Sequence, residues 1–160
     1  CGIQFSLHGK RLFCGLYLNE LLVRLLTHQQ PISQLFSDYQ DALRGISQSK
    51  VVEPSLRIFE RSLIDALGYG IDFEHIEKGE AINKKESYFY TAGSGFRLAV
   101  RGLSSPTLKI YSGENLLAIA QNNYQSEKTL RVAKDIFRQT VSDLLQGSPL
   151  RSRDLFKNLR

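Results

Sequence analysis

The chain has 160 residues, of which 42% are hydrophobic and 23% charged, and it carries a net charge of +5. This is the size of one domain, able to bury about two-thirds of its unfolded surface without staples. No apolar run approaches the ~18–20 residues of a membrane span, and two cysteines, Cys1 and Cys14, are too few for a disulfide framework and fit a reducing cytoplasm. The positive excess favours polyanions such as nucleic acid or an acidic protein tail. The chain starts with Cys and contains no Met, which reads as an excised domain or a processed product. A mature lipoprotein also begins with Cys, but GIQFSLHGKRLF is not the flexible polar tether of a lipid anchor.

The first helix is expected over about 7–27. LYLNELLVRLL is apolar nearly all round, the signal of a central, buried helix, and Glu20 and Arg24 are spaced to pair. Cys14 is expected to pack there as a small hydrophobe. Pro31 suits the start of a second helix to about Ile46, with Ile32, Leu35, Phe36, Tyr39 and Leu43 inward. After the loop SQSKVV, EPSLRIFERSLIDALGYG reads as a third helix. Leu56, Phe59, Leu63, Ala66 and Leu67 form its inner face, Glu53 and Pro54 suit its first turn, and Gly68 its end. Arg57 and Arg61 fall on the far side, bracketed by Ile58 and Ile64. Glu53–Arg57 and Arg61–Asp65 could be a row of exposed ion pairs, or the arginines could be half of a pocket for an acidic, apolar-tipped partner.

The segment IDFEHIEKGEAINKKE is polar and turn-rich. SYFY and GFRLAV flank TAGSG as a β-hairpin, and TLKIYS adds a short strand. Ser112 is placed to cap a short helix, GENLLAIAQ. Ser126 or Glu127 opens a long helix to about Gln146, with Leu130, Ala133, Phe137, Val141 and Leu144 inward and Gly147 as its stop. PLRSRDLFKNLR closes the chain as one more short helix. The expected fold is mainly α: an antiparallel helical bundle in a single domain over 1–160, with a small β-hairpin insertion at about 72–111.

Catalytic chemistry finds no support. His8, His28 and His75 are scattered, there is no C-x-x-C, and P-loop, G-x-S-x-G and G-x-G-x-x-G patterns are missing. Asp72, Glu74, Glu77 and Glu80 lie in a polar loop with no sign of burial. The chain therefore reads as non-enzymatic, without cofactor or metal, and as a binding module. Its second basic feature lies toward the carboxyl end. Lys128, Arg131, Lys134 and Arg138 recur along one helix, followed by Arg151, Arg153, Lys157 and Arg160. Such a stripe can track phosphates, although Glu127, Asp135, Asp143 and Asp154 soften it.

LFCGLYLNELLVRLL, LFSDYQDAL and EPSLRIFERSLIDALGYGIDF resemble, in order and spacing, the helical part of the bacterial recombination mediator RecO. KGE and SYFYTAGSGF continue the resemblance, and LRSRDLFKNL is similar to the family's closing segment. RecO proteins place an OB-fold ahead of this region, so the chain resembles their C-terminal part. Some members hold zinc through cysteines in the loop after L-G-Y-G. Here that loop has no Cys and only His75, so the resemblance is to the zinc-less variant. It implies a bacterial cytoplasmic protein of DNA repair that binds single- and double-stranded DNA, anneals strands, and works with RecR in loading RecA. It also implies docking of the acidic, Phe-ending tail of the single-stranded-DNA-binding protein. Arg57 is then expected to meet the tail's carboxylates, Ile64 and Ile58 to line the slot for its Phe, and Arg61 to add field. The alternative is a protein-interaction scaffold with no direct DNA contact.

Overall fold

The computed structural model describes residues 5–26, 33–100 and 108–157, with side chains described as far as Leu155. Among them are six helices: α1 Lys10–Leu25, α2 Ser33–Gln48, α3 Glu53–Ala66, α4 Gly113–Ala120, α5 Glu127–Leu144 and α6 Arg151–Lys157. Three strands, β1 Ser87–Thr91, β2 Gly95–Leu98 and β3 Ile110–Ser112, form an antiparallel sheet in the order β2-β1-β3. Tyr88 pairs with Leu98 on one side and Tyr111 on the other.

α3 is the centre of the helical part. Its most extensive partner is α2, and α5 packs on its other flank. α1 lies on α2 and α6, and α4 joins α5 to β3. One apolar cluster runs through helices and sheet, from Leu18, Leu21 and Ile46 through Phe59 and Leu63 to Phe73, Phe96, Ile119, Ile136 and Phe137. Phe73 meets the ring of Phe137 edge-on at 6.0 Å and that of Phe96 at 5.5 Å, so it ties the sheet to α5. The Tyr90 hydroxyl and Thr140 Oγ1, 2.7 Å apart, form a second tie.

Local signals explain the element ends. The Ser112 hydroxyl accepts from the Asn115 N–H at 3.4 Å and the Ser126 hydroxyl from the Lys128 N–H at 3.2 Å, as N-caps do. Gly68 stops α3 at φ 84°. Gly113 is required by space, since a Cβ there would sit 2.0 Å from the Asn83 carbonyl oxygen.

Three sequence expectations need correction. α1 is not buried all round: Leu12, Leu16 and Val23 are 44%, 40% and 81% exposed, because the elements packed on it, chiefly α2 and α6, leave that side open. Phe36 points outward at 58% exposure, and Ala66 is exposed too. Pro31 and Ile32 lie outside the described residues. Cys14 packs as expected, at 3% exposure. Among the described residues no helix is long and apolar enough to cross a membrane, and no group of His, Cys, Asp and Glu could hold a metal ion.

Candidate nucleic-acid interface

The four α3 residues expected to face a partner do not form one open surface. Arg57 is 5% exposed and Ile64 1%. The far side of α3 is covered by α5, so a helix read as having one wet face is packed on two. Inside, Arg57 Nη2 lies 3.1 Å from Glu60 Oε1, and the Tyr17 hydroxyl donates to the same oxygen at 2.6 Å. Arg57 therefore pairs with Glu60 rather than with Glu53. Burial, and then the Glu60 charge, hold the Tyr17 hydroxyl far above its ordinary pKa, and burial pushes Tyr124 up to about 12. Arg57 Nε, Glu60 Oε2 and the Tyr124 hydroxyl are buried without a hydrogen-bond partner.

Arg61 is occupied differently. Its Nη1 donates to the carbonyls of Ile119 and Ala120 at 2.7 and 3.0 Å and to Asn122 Oδ1 at 3.1 Å. It thus caps the carboxyl end of α4, with its guanidinium 5.6 Å from the Phe73 ring centre. The expected Asp65 pair is a loose 4.0 Å contact. Ile58, at 43% exposure, is the member of the set that stays open.

The carboxyl-terminal stripe is open. Lys128, Arg131, Lys134 and Arg138 are all exposed on α5. Two interleaved acids are already engaged: Glu127 with Arg131 at 3.0 Å, and Asp135 with Lys109 at 2.8 Å. Partial burial, then the charges of Arg138 and Arg57, pull the Lys134 ammonium below its ordinary value. Cations crowded in this way favour an anion beside them.

α6 is placed by α1. The Glu20 carboxylate accepts the Arg151 and Ser152 N–H groups, each at 2.8 Å, and the Ser152 hydroxyl at 2.6 Å. Arg24, 3.7 Å from Glu20, donates to the Pro149 carbonyl at 2.5 Å. Burial works against the charge on Glu20, but these hydrogen bonds and Arg24 outweigh it and hold the carboxyl below its ordinary range. An open groove of about 650 Å3 is lined by Arg138 of α5 and Arg153 of α6, with Lys109, Asp135 and Asp143 also in its lining. Arg151 is exposed, while the Lys157 side chain lies outside the described residues. No sequence pattern marks Lys109, because TLKIYS reads as a strand and its cation has no periodic neighbour. For Glu20 the sequence shows only the local spacing to Arg24.

The architecture defines a class: a helix-rich domain with a small antiparallel sheet and an exposed row of basic side chains along α5. Residues 7–154 match the family model described as Recombination protein O C terminal, and the chain belongs to that family. It is 36% identical over 155 residues to the DNA repair protein RecO of Coxiella burnetii (strain RSA 331 / Henzerling II), covering 96% of this chain and 66% of that one. The RecO of Aliivibrio salmonicida is 38% identical over 155 residues, with 96% and 64% covered. That of Psychromonas ingrahamii is 40% identical over 149 residues, with 92% and 63% covered. The chain thus spans about 63–66% of the length of these relatives.

Proposed function

We propose that the chain serves bacterial DNA repair and recombination by holding DNA phosphates along α5 and α6. The observation that carries this reading is the single groove lined by both Arg138 and Arg153, 15 positions apart on separate helices. Lys128, Arg131, Lys134 and Arg151 extend the cationic surface, which suits the backbone of a single or double strand without reading its sequence. Strand annealing, cooperation with RecR and support of RecA loading, in the cytoplasm, belong to the same proposal as activities of the whole protein. Titrating a labelled single-stranded oligonucleotide at several salt concentrations tests it by fluorescence anisotropy. Binding that weakens steeply with salt is expected. No binding even at low salt would leave the scaffold reading, in which the domain meets proteins alone.

Docking of the acidic, Phe-ending tail is a second part of the proposal, and it takes a different form from the sequence expectation. Arg57 and Ile64 are closed off, and Arg61 is engaged with α4. Lys134 supplies an open cation within reach of the charges of Glu53, Arg57 and Glu60 on α3, and Ile58 is an open apolar contact. The tail's carboxylates are therefore assigned to Lys134.

A further inference from the structure

Glu20 is an acid of α1 that does not line the groove holding Arg138 and Arg153. Both of its carboxylate oxygens are engaged at the start of α6. Oε1 accepts the Arg151 N–H, and Oε2 accepts the N–H and the hydroxyl of Ser152, a buried side chain. α6 has seven residues, too few to hold a helix unaided, and its first N–H groups have no acceptor within the helix. The turn that Glu20 holds is the turn that carries Arg151 and Arg153. Arg153 is also near α1. Burial and then the Glu60 charge dominate at the Tyr17 hydroxyl, and the Arg153 charge is close enough to act there in the opposite direction. Tyr17 lies one helical turn before Glu20.

Given DNA in the groove lined by Arg138 and Arg153, a reading on which this rests, we propose that Glu20 is a positioning residue for DNA. By fixing the first turn of α6 it sets where Arg151 and Arg153 meet phosphate, so an acid strengthens the binding of a polyanion. Charge alone has the opposite sign. Through the field, removing an anion tightens the hold on DNA. Through position, removing Glu20 loosens it. Glutamine is no substitute. Three donors meet two oxygens here, whereas an amide offers one oxygen and an NH2 group. With either orientation of the amide, that NH2 faces a backbone N–H. Arg24 cannot take over either: it donates to the Pro149 carbonyl, and a guanidinium has no acceptor for the N–H groups of α6.

The test pairs single-strand affinity across a salt series with amide hydrogen exchange by NMR, on the 160-residue chain, with circular dichroism as the folding control. Glu20→Gln should speed exchange severalfold at the amides of Arg151 and Ser152. It should weaken DNA binding about two- to fourfold at low salt and flatten the salt slope toward that of Arg151→Ala, Arg153→Ala. Ser152→Ala, which changes no charge, should move both readouts the same way by less, and it carries the comparison should Glu20→Gln unfold. In the background lacking both α6 arginines, Glu20→Gln should weaken binding no further. A merely structural role would not give that dependence on the arginines. Unchanged or tighter binding by folded Glu20→Gln, while Arg151→Ala, Arg153→Ala binds more weakly, would overturn the positioning role and leave the groove standing. Weakening that persists without the two arginines would overturn it as well, and so would wild-type affinity and exchange in Ser152→Ala. Wild-type binding by the arginine double variant would remove α6 from the DNA surface, and the role of Glu20 with it.

Discussion

Arg57→Ala tests the most consequential difference between the sequence pattern and the structure. Were Arg57 on a wet face, its removal would cost a few tenths of a kcal/mol in stability. In the structure it is the buried counter-ion of Glu60. At 3.1 Å the raw attraction is about 5 kcal/mol at an effective dielectric of about 20, most of it offset by the cost of taking both ions out of water. Removing only the arginine restores none of that hydration to Glu60, which is 2% exposed and keeps the Tyr17 hydroxyl as its described partner. The expected loss is about 3–5 kcal/mol. A domain of ordinary stability, about 5–15 kcal/mol, survives this in water but unfolds at a clearly lower urea concentration. Arg57→Met combined with Glu60→Gln leaves no lone buried charge and is expected to regain at least half of the loss. Urea unfolding followed by circular dichroism measures both. A loss below about 1 kcal/mol for Arg57→Ala would refute the reasoning, since it would mean that Glu60 finds water and the α3–α5 seam is open.

Glu20→Gln should cost about 1–2 kcal/mol, because a neutral amide is a weaker acceptor for the first N–H groups of α6 than a carboxylate. The same group sets a pH dependence. Its folded pKa lies below the ordinary 4.5, so its contribution is complete above about that pH and is lost as the pH falls through the folded value. Urea midpoints of wild type and Glu20→Gln should differ at pH 7 and converge as acid protonates the carboxylate; a constant gap would contradict the assignment. Arg61→Ala should destabilise by about 1–2 kcal/mol through loss of the α4 cap and the Phe73 contact, with Arg61→Lys intermediate, as read by thermal unfolding. Asp143→Asn removes an anion from the groove that holds Arg138 and Arg153, so it should tighten DNA binding severalfold at low salt and little at high salt.

The elements themselves were legible because their causes are local. Apolar spacing marks α2, α3 and α5, Ser112 and Ser126 mark caps, and the glycines of TAGSG mark the hairpin turn. What covers a helix is not local. Periodicity on α3 shows the face against α2, but not that α5 closes over Arg57 and Ile64. The partner that makes Arg57 a core residue is joined to Tyr17, 43 positions before it in the chain. An apolar circumference on α1 likewise reads as burial, whereas the structure leaves Leu12, Leu16 and Val23 open. The basic stripe of α5 could be read from its spacing. That Arg153 lines the same groove as Arg138 follows from the placing of α6, whose first N–H groups meet Glu20, 131 positions away, which no local pattern encodes.

A DNA groove built by Arg138 and Arg153 is tested most directly by the salt dependence of single-strand affinity for wild type and for Arg138→Ala, Arg153→Ala, with circular dichroism confirming the fold. If both arginines neutralise phosphates, the double variant binds more weakly and its slope of log affinity against log salt flattens by about 1.4 units, about 0.7 for each phosphate no longer neutralised. A folded double variant with the wild-type slope would contradict the placement of DNA between α5 and α6.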